Sequence, residues 1–277
     1  MLPFRVLYLL SDTFYILIWY VIGYRKEVVT ANLRNSFPGK SEAEIRQLSK
    51  DFYRYFCDLT LETFKTLTIS KEKMLRHCSM EEQSKVLLEQ LARDGQSVIL
   101  VLGHLGNWEW AGNAFSLECS HQLYVIYHPL GNKYFNGLMY RMRSRFGTRL
   151  IPMKDTFKDM VRHKSELTAT AFIADQTPQP QNAYWTNFLN QDTPVFWGTE
   201  LIANKLKRPV LFVSVERQKR GYYKVVADPA GLLYPEQYEP GKLTETHIRK
   251  LEQQILIRPE TWLWSHRRWK HKRQTEL

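Results

Sequence analysis

Between Ser97 and Trp110 the chain reads Ser-Val-Ile-Leu-Val-Leu-Gly-His-Leu-Gly-Asn-Trp-Glu-Trp. The near-continuous apolar run from Val98 to Leu102 leaves no polar face for water, so it is expected to be a strand covered on both sides, as in a parallel sheet between helices. It passes directly into a glycine, a histidine and a second glycine. A helix is then expected from about Asn107 to Glu118, with Trp108, Ala111, Phe115 and Leu117 loosely on one side.

A polar, titratable residue at the exit of a buried strand is where chemistry is expected. At roughly 100° per residue, a step of five turns two helical side chains about 140° apart. His104 and Glu109 therefore meet only if His104 stands in the turn and Glu109 opens the helix. In that arrangement the carboxylate holds one imidazole nitrogen as N–H and leaves the other free to accept a proton, which makes a general base with its orienter.

The rest of the chain alternates strand and helix, which implies an α/β fold with a mainly parallel sheet flanked by helices. Ser41-Glu42-Ala43-Glu44 is a capping box opening an amphipathic helix that carries Ile45, Leu48, Phe52, Tyr55, Phe56 and Leu59. Ser79-Met80-Glu81-Glu82 has the same form and is expected to open a second helix. Strands are expected at Gln122 to Tyr127, Arg149 to Pro152 and Leu167 to Ala174, with helices at Lys133 to Phe146 and Thr156 to His163. Ligands in such sheets gather at the carboxyl ends of the strands, so His104, His128 and Asp175, each just after a strand, are expected on one edge. Arg143 and Arg145 are two apart on a helix and point differently; one is expected to reach an acceptor phosphate while the other packs outside. Thr177 to Asp192, rich in Pro, Gln and Asn, reads as a long irregular loop.

The first turns of the chain set a second constraint. Val6 to Ile22 is mostly Leu, Ile, Val, Tyr, Phe and Trp, interrupted by Ser11-Asp12-Thr13 and followed by Arg25-Lys26. A mid-segment aspartate is costly in lipid, and the run is short for a full span. The segment reads as a membrane-associated helix over residues 1–26, either crossing or lying in the interface, with a buried N-terminal helix of the core as the alternative, ahead of a single domain over 27–277. A net charge of +11 from 39 Lys+Arg against 28 Asp+Glu asks for an anionic partner. Three widely spaced cysteines form neither a disulfide framework nor a metal knuckle, which suits a reducing compartment. Glycine loops for nucleotides and a Gly-x-Ser-x-Gly elbow are absent, which removes those classes.

His104-Leu-Gly-Asn-Trp-Glu109 resembles the His-x4-acid motif of glycerolipid acyltransferases, and in this wording it is similar to the lipid A biosynthesis (lauroyl/myristoyl) acyltransferase family. Three later stretches resemble the same family in order: Tyr127-His128-Pro129 with Arg143-Ser-Arg145-Phe-Gly147, then Ala174-Asp175-Gln176, then Arg258-Pro-Glu260 through Trp264-Ser-His266-Arg267-Arg268-Trp-Lys270. His128 stands where the family has Arg, and its glycines after Asp-Gln are missing here.

The resemblance implies O-acyl transfer from an acyl carrier protein or coenzyme A thioester to a hydroxyl of a lipid A precursor. His104 is then the base and Glu109 its support, with Asn107, His128, Arg143, Arg145, Asp175, Gln176, Arg258, Glu260, His266 and Arg267 as substrate-binding residues. No metal or tightly held cofactor is expected. The implied partners are the lipid acceptor, acyl carrier protein and an anionic membrane surface, and the implied place is the cytoplasmic face of the inner membrane. Two alternatives stand beside this reading: a relative acting on another lipid acceptor, and a non-enzymatic basic protein whose binding to nucleic acid would fall steeply with salt.

Overall fold

A computed structural model describes residues 2–273; the last four residues of the expected 27–277 domain lie outside them. The chain starts with helix α1 (Phe4–Ile16), which continues as π-helical turns over Leu17–Ile22 and stops at Gly23, whose φ of 67° ends the helix in the left-handed region. Helices α2 (Lys26–Ser36), α3 (Glu42–Lys65) and α4 (Lys71–His77) follow. The capping box of α3 is present: Ser41 N–H donates to Glu44 Oε2 at 2.8 Å, and Glu44 N–H donates to Ser41 Oγ at 3.4 Å.

The body then alternates: β1 (Cys78–Met80), α5 (Glu82–Arg93), β2 (Val98–Leu102), α6 (Trp108–Glu118), β3 (Gln122–Tyr127), α7 (Lys133–Ser144), β4 (Arg149–Pro152), α8 (Thr156–Arg162) and β5 (Thr168–Ile173). After these come β6 (Ala183–Phe188), β7 (Gln191–Phe196), α9 (Gly198–Leu206), β8 (Val210–Lys219), β9 (Tyr222–Leu233) and α10 (Lys242–Ile257). Seven strands form one sheet in the order β1-β9-β8-β2-β5-β3-β4, parallel throughout except for the β8 and β9 hairpin.

The apolar run sits at the centre of that sheet, so both of its faces are covered as its composition requires. Val98 and Leu100 pack with Leu88, Trp110 and Ala114 on one side, while Ile99 and Val101 pack with Met160, Ala203 and Leu243 on the other. Two expectations need correction. Ser79 lies in strand β1 beside Lys224 of β9, and α5 opens at Glu81 without a side-chain cap, because pairing with β9 keeps the backbone extended through Met80. Residues 177–192 are not one irregular loop: β6 and β7 form a two-stranded antiparallel hairpin, turned by Leu189 and Asn190 at φ of 50° and 63°. Leucine seldom takes the left-handed conformation and no glycine stands in this turn, so the sequence carries no hairpin signal there.

Candidate active site

The parallel register explains how two residues far apart in the chain meet. Leu102 of β2 is paired with Ile173 of β5, and two residues further along each strand stand His104 and Asp175. The imidazole Nδ1 of His104 lies 2.5 Å from Asp175 Oδ1, and the His104 backbone N–H donates to Asp175 Oδ2 at 2.7 Å. The same Oδ2 accepts from the indole N–H of Trp262 at 2.7 Å. Burial alone would raise the Asp175 carboxyl, yet the charge and hydrogen bond of His104, the Trp262 indole and the backbone amide hold it down to about 2. An ionised carboxylate can only accept, so Nδ1 carries the proton and Nε2 is the free, basic nitrogen.

Close backbone approach fixes the turn around His104. Gly106 has a φ of 62°, and a Cβ there would lie 2.0 Å from the carbonyl oxygen of Val215, so no other residue fits without displacing β8. The chain after α10 straps this turn: Gly106 N–H donates to Thr261 O at 3.1 Å, and Leu263 N–H donates to His104 O at 3.1 Å. Asn107 caps α6, accepting from Trp110 N–H at 3.0 Å, while its own amide donates to Glu62 Oε2 at 2.8 Å. Glu62 is wholly buried and also accepts from Tyr8 and Tyr223 at 2.8 Å each. Burial raises its carboxyl to about 6 despite the hydrogen bonds from Tyr223, Tyr8 and Asn107 that lower it.

Nε2 of His104 faces a cavity of about 260 Å³ also lined by Trp108, Glu109, Tyr127, His128, Arg143 and Gln176. Gln176 Nε2 is 3.4 Å from His104 Nε2, and the Trp108 ring stands edge-on to the imidazole at 5.0 Å. Glu109 is gripped by Arg143: Nε donates to Oε2 at 2.9 Å and Nη2 to Oε1 at 2.6 Å. The carboxylate that orients His104 is thus Asp175. Glu109, expected in that role, opens α6 on the cavity wall with both oxygens held from α7 by Arg143. The fork of Arg143 expected for an acceptor phosphate is spent on Glu109 through Nε and Nη2. Behind Ile126, Met153 and Ile173, which it shares with the first cavity, lies a second of about 210 Å³ lined by Phe172, Ala174, Phe196 and Ile202.

Other expected site residues fall elsewhere. His128 lines the cavity mouth, exposed, with Nδ1 2.9 Å from the carbonyl of Pro129. Arg145, two residues on from Arg143, points out of the cavity, bonds the carbonyl of Thr66 and covers the Phe146 ring. Asn107 is completely buried as a cap and does not line the cavity. Arg258 and Glu260 pair with each other at 3.8 Å, away from the cavity wall. Arg267 is exposed, and His266 is half-buried, its imidazole pushed down to about 4 by burial against the opposing charge of Asp175.

Two contributors escaped the sequence reading. Trp262, on the C-terminal strap, is the third donor to Asp175; its signal was only a tryptophan among basic residues. Glu62 follows Phe52, Tyr55 and Leu59 at helical spacing, and a carboxylate on an apolar stripe was the available sign. Arg268 is buried to 1 % exposure, and its guanidinium nitrogens have no hydrogen-bond partner among the described residues. Burial lowers it to about 10, and Asp175 opposes that shift.

Among known families, the model described as "Bacterial lipid A biosynthesis acyltransferase" matches residues 1–271. No curated protein matches the sequence.

Proposed function

The chain belongs to the bacterial lipid A biosynthesis acyltransferase family, and from that starting point we propose that it moves a fatty acyl chain from a thioester, carried by acyl carrier protein or coenzyme A, to a hydroxyl of a lipid A precursor. The observation that carries this reading is the pair of His104 and Asp175, with its free Nε2 turned to the cavity. As the acceptor oxygen bonds to the thioester carbonyl carbon, Nε2 takes the hydroxyl proton, and Asp175 stabilises the imidazolium that forms. Collapse of the tetrahedral adduct breaks the C–S bond. The imidazolium returns its proton to the departing thiolate, leaving an ester and a free thiol.

Glu109 contributes through Arg143: it takes Nε and Nη2 and so fixes the guanidinium on the cavity wall, leaving Nη1 to meet developing charge or an anionic acceptor group. His128 and Gln176 border the same space and meet substrate there. The neighbouring apolar cavity behind Ile126 and Met153 takes the acyl chain. The same reading puts the body at the cytoplasmic face of the inner membrane; its support is three unpaired cysteines, which suit a reducing compartment, and a net charge of +11, which suits an anionic surface.

The test is direct. Purified protein, an acyl carrier protein thioester and a hydroxyl-bearing lipid A precursor are incubated, and the lipid is weighed by mass spectrometry, with a coenzyme A thioester as the second donor. The lipid is expected to gain one acyl group, and His104→Ala to lose turnover by about 10² to 10⁴ while staying folded. Undiminished transfer by His104→Ala overturns the mechanism.

A further inference from the structure

The apolar helix Phe4–Ile22 is nineteen residues long, with a mean hydropathy of 1.4, so length and composition allow it to cross a bilayer. Its contacts argue otherwise. One stripe, Leu7, Ser11, Tyr15 and Trp19, is buried against the body along the whole helix. The polar groups on and beside that stripe are tied down: Tyr8 O–H donates to Glu62 at 2.8 Å, and Ser11 O–H to Asp58 at 2.7 Å. Asp12, the residue most costly to place in lipid, accepts from Arg220 at 2.6 Å, and Arg220 in turn reaches Asp58 at 2.7 Å.

Both ends are held by the same body. At the start Lys65 donates to the carbonyl of Leu2 at 2.7 Å, and Phe4 stacks on His77 at 3.9 Å. Just past the end Tyr53 O–H donates to the carbonyl of Tyr24 at 2.5 Å, and Arg25 donates to the carbonyl of Ser265 at 2.9 Å. A helix whose two ends are bonded to one water-facing domain cannot place those ends on opposite sides of a membrane. The opposite face stays apolar and open: Leu9 is 67 % exposed, Tyr20 64 % and Val21 74 %, with Val6, Leu10 and Leu17 between. Exposed Arg5 and Arg25 stand at either end, on a chain of net charge +11.

We propose that Phe4–Ile22 lies along one leaflet of an anionic bilayer, its open face among the acyl chains and both its ends on the side of the catalytic body. This rests on the membrane association proposed above, and the experiment separates the two. The full chain carrying Cys119→Ser, with Cys57 and Cys78 buried, receives Leu2→Cys or Tyr24→Cys and is mixed with sealed vesicles of phosphatidylglycerol and phosphatidylethanolamine. Flotation reports binding, and a membrane-impermeant maleimide reports the side. The protein is expected to float, and both cysteines to react before detergent is added. Failure to float overturns the membrane reading and this seat with it. Flotation with Leu2→Cys reacting only after detergent overturns the seat alone. Leu9→Glu with Val21→Glu is expected to reduce flotation at least tenfold with the fold intact. If that variant instead dissolves a dimer and floats as before, the face is an interface between copies and the proposal fails.

Discussion

Nδ1 of His104 and Oδ1 of Asp175 stand 2.5 Å apart, although 71 residues separate them in the chain. The carboxylate is held by three donors and is ionised down to about pH 2, so it fixes both the tautomer and the orientation of the imidazole. Asp175→Asn keeps the shape and removes the charge. Its kcat is expected to fall by about 10² to 10⁴, with the acidic limb of the pH–rate profile displaced, measured by acyl-product formation across pH.

Glu109 touches the chemistry only through Arg143. Glu109→Gln leaves that guanidinium with half of its partner, and the pair is buried except for about a quarter of the Arg143 side chain. Thermal unfolding should show a loss of ~2 kcal/mol, below the 3 to 5 of a fully buried pair. Steady-state kinetics should show a raised KM for the acceptor and an unmoved acidic limb. A displaced limb equal to that of Asp175→Asn would instead make Glu109 a direct partner of His104.

Glu62 supplies a pH dependence of stability. Its carboxyl is raised by burial from 4.5 to about 6 in the folded chain. The folded state therefore binds more protons than the unfolded state between these values, and stability falls as pH rises from about 4.5 through 6. The loss is on the order of 2 kcal/mol. Glu62→Gln has no such titration, so its unfolding free energy should lack this decline, as denaturant melts at pH 4.5, 5.5 and 7 would record.

The apolar cavity lined by Phe172, Phe196 and Ile202 predicts a chain-length effect. Ile202→Trp shortens it, and each methylene kept out of an apolar site forfeits about 0.8 kcal/mol, close to fourfold. Competition between thioesters of different length should shift toward the shorter donor by about that factor per methylene. An unchanged preference would remove the cavity from acyl recognition.

Gly106 offers a structural control. With a φ of 62° and the Val215 carbonyl 2.0 Å from any Cβ, Gly106→Ala forces the His104 turn away from β8. Both a lowered melting temperature and a loss of turnover are expected, and a variant as stable as the parent would contradict the close approach.

Much of this molecule is written locally. Val98 to Leu102 can be satisfied only by cover on both faces, so the central strand, the helix after it and the parallel class of the sheet follow from periodicity. The edge shared by His104, His128 and Asp175 follows too, since each ends a parallel strand. Sequence alone also marks the family, through four ordered motifs, and an N-terminal segment too apolar for water. What tertiary structure decided is which groups touch. Register between β2 and β5 sets Asp175, and not the nearby Glu109, on the imidazole. The packing of α6 against α7 gives Glu109 to Arg143, and the strap after α10 brings Trp262 in as a third donor. Periodicity reports which face a residue takes along its own element; partners across elements depend on strand order and register, which are properties of the whole sheet. The same holds at the N-terminus, where hydropathy permits a crossing helix, and only the tertiary structure shows both of its ends bonded to the same body.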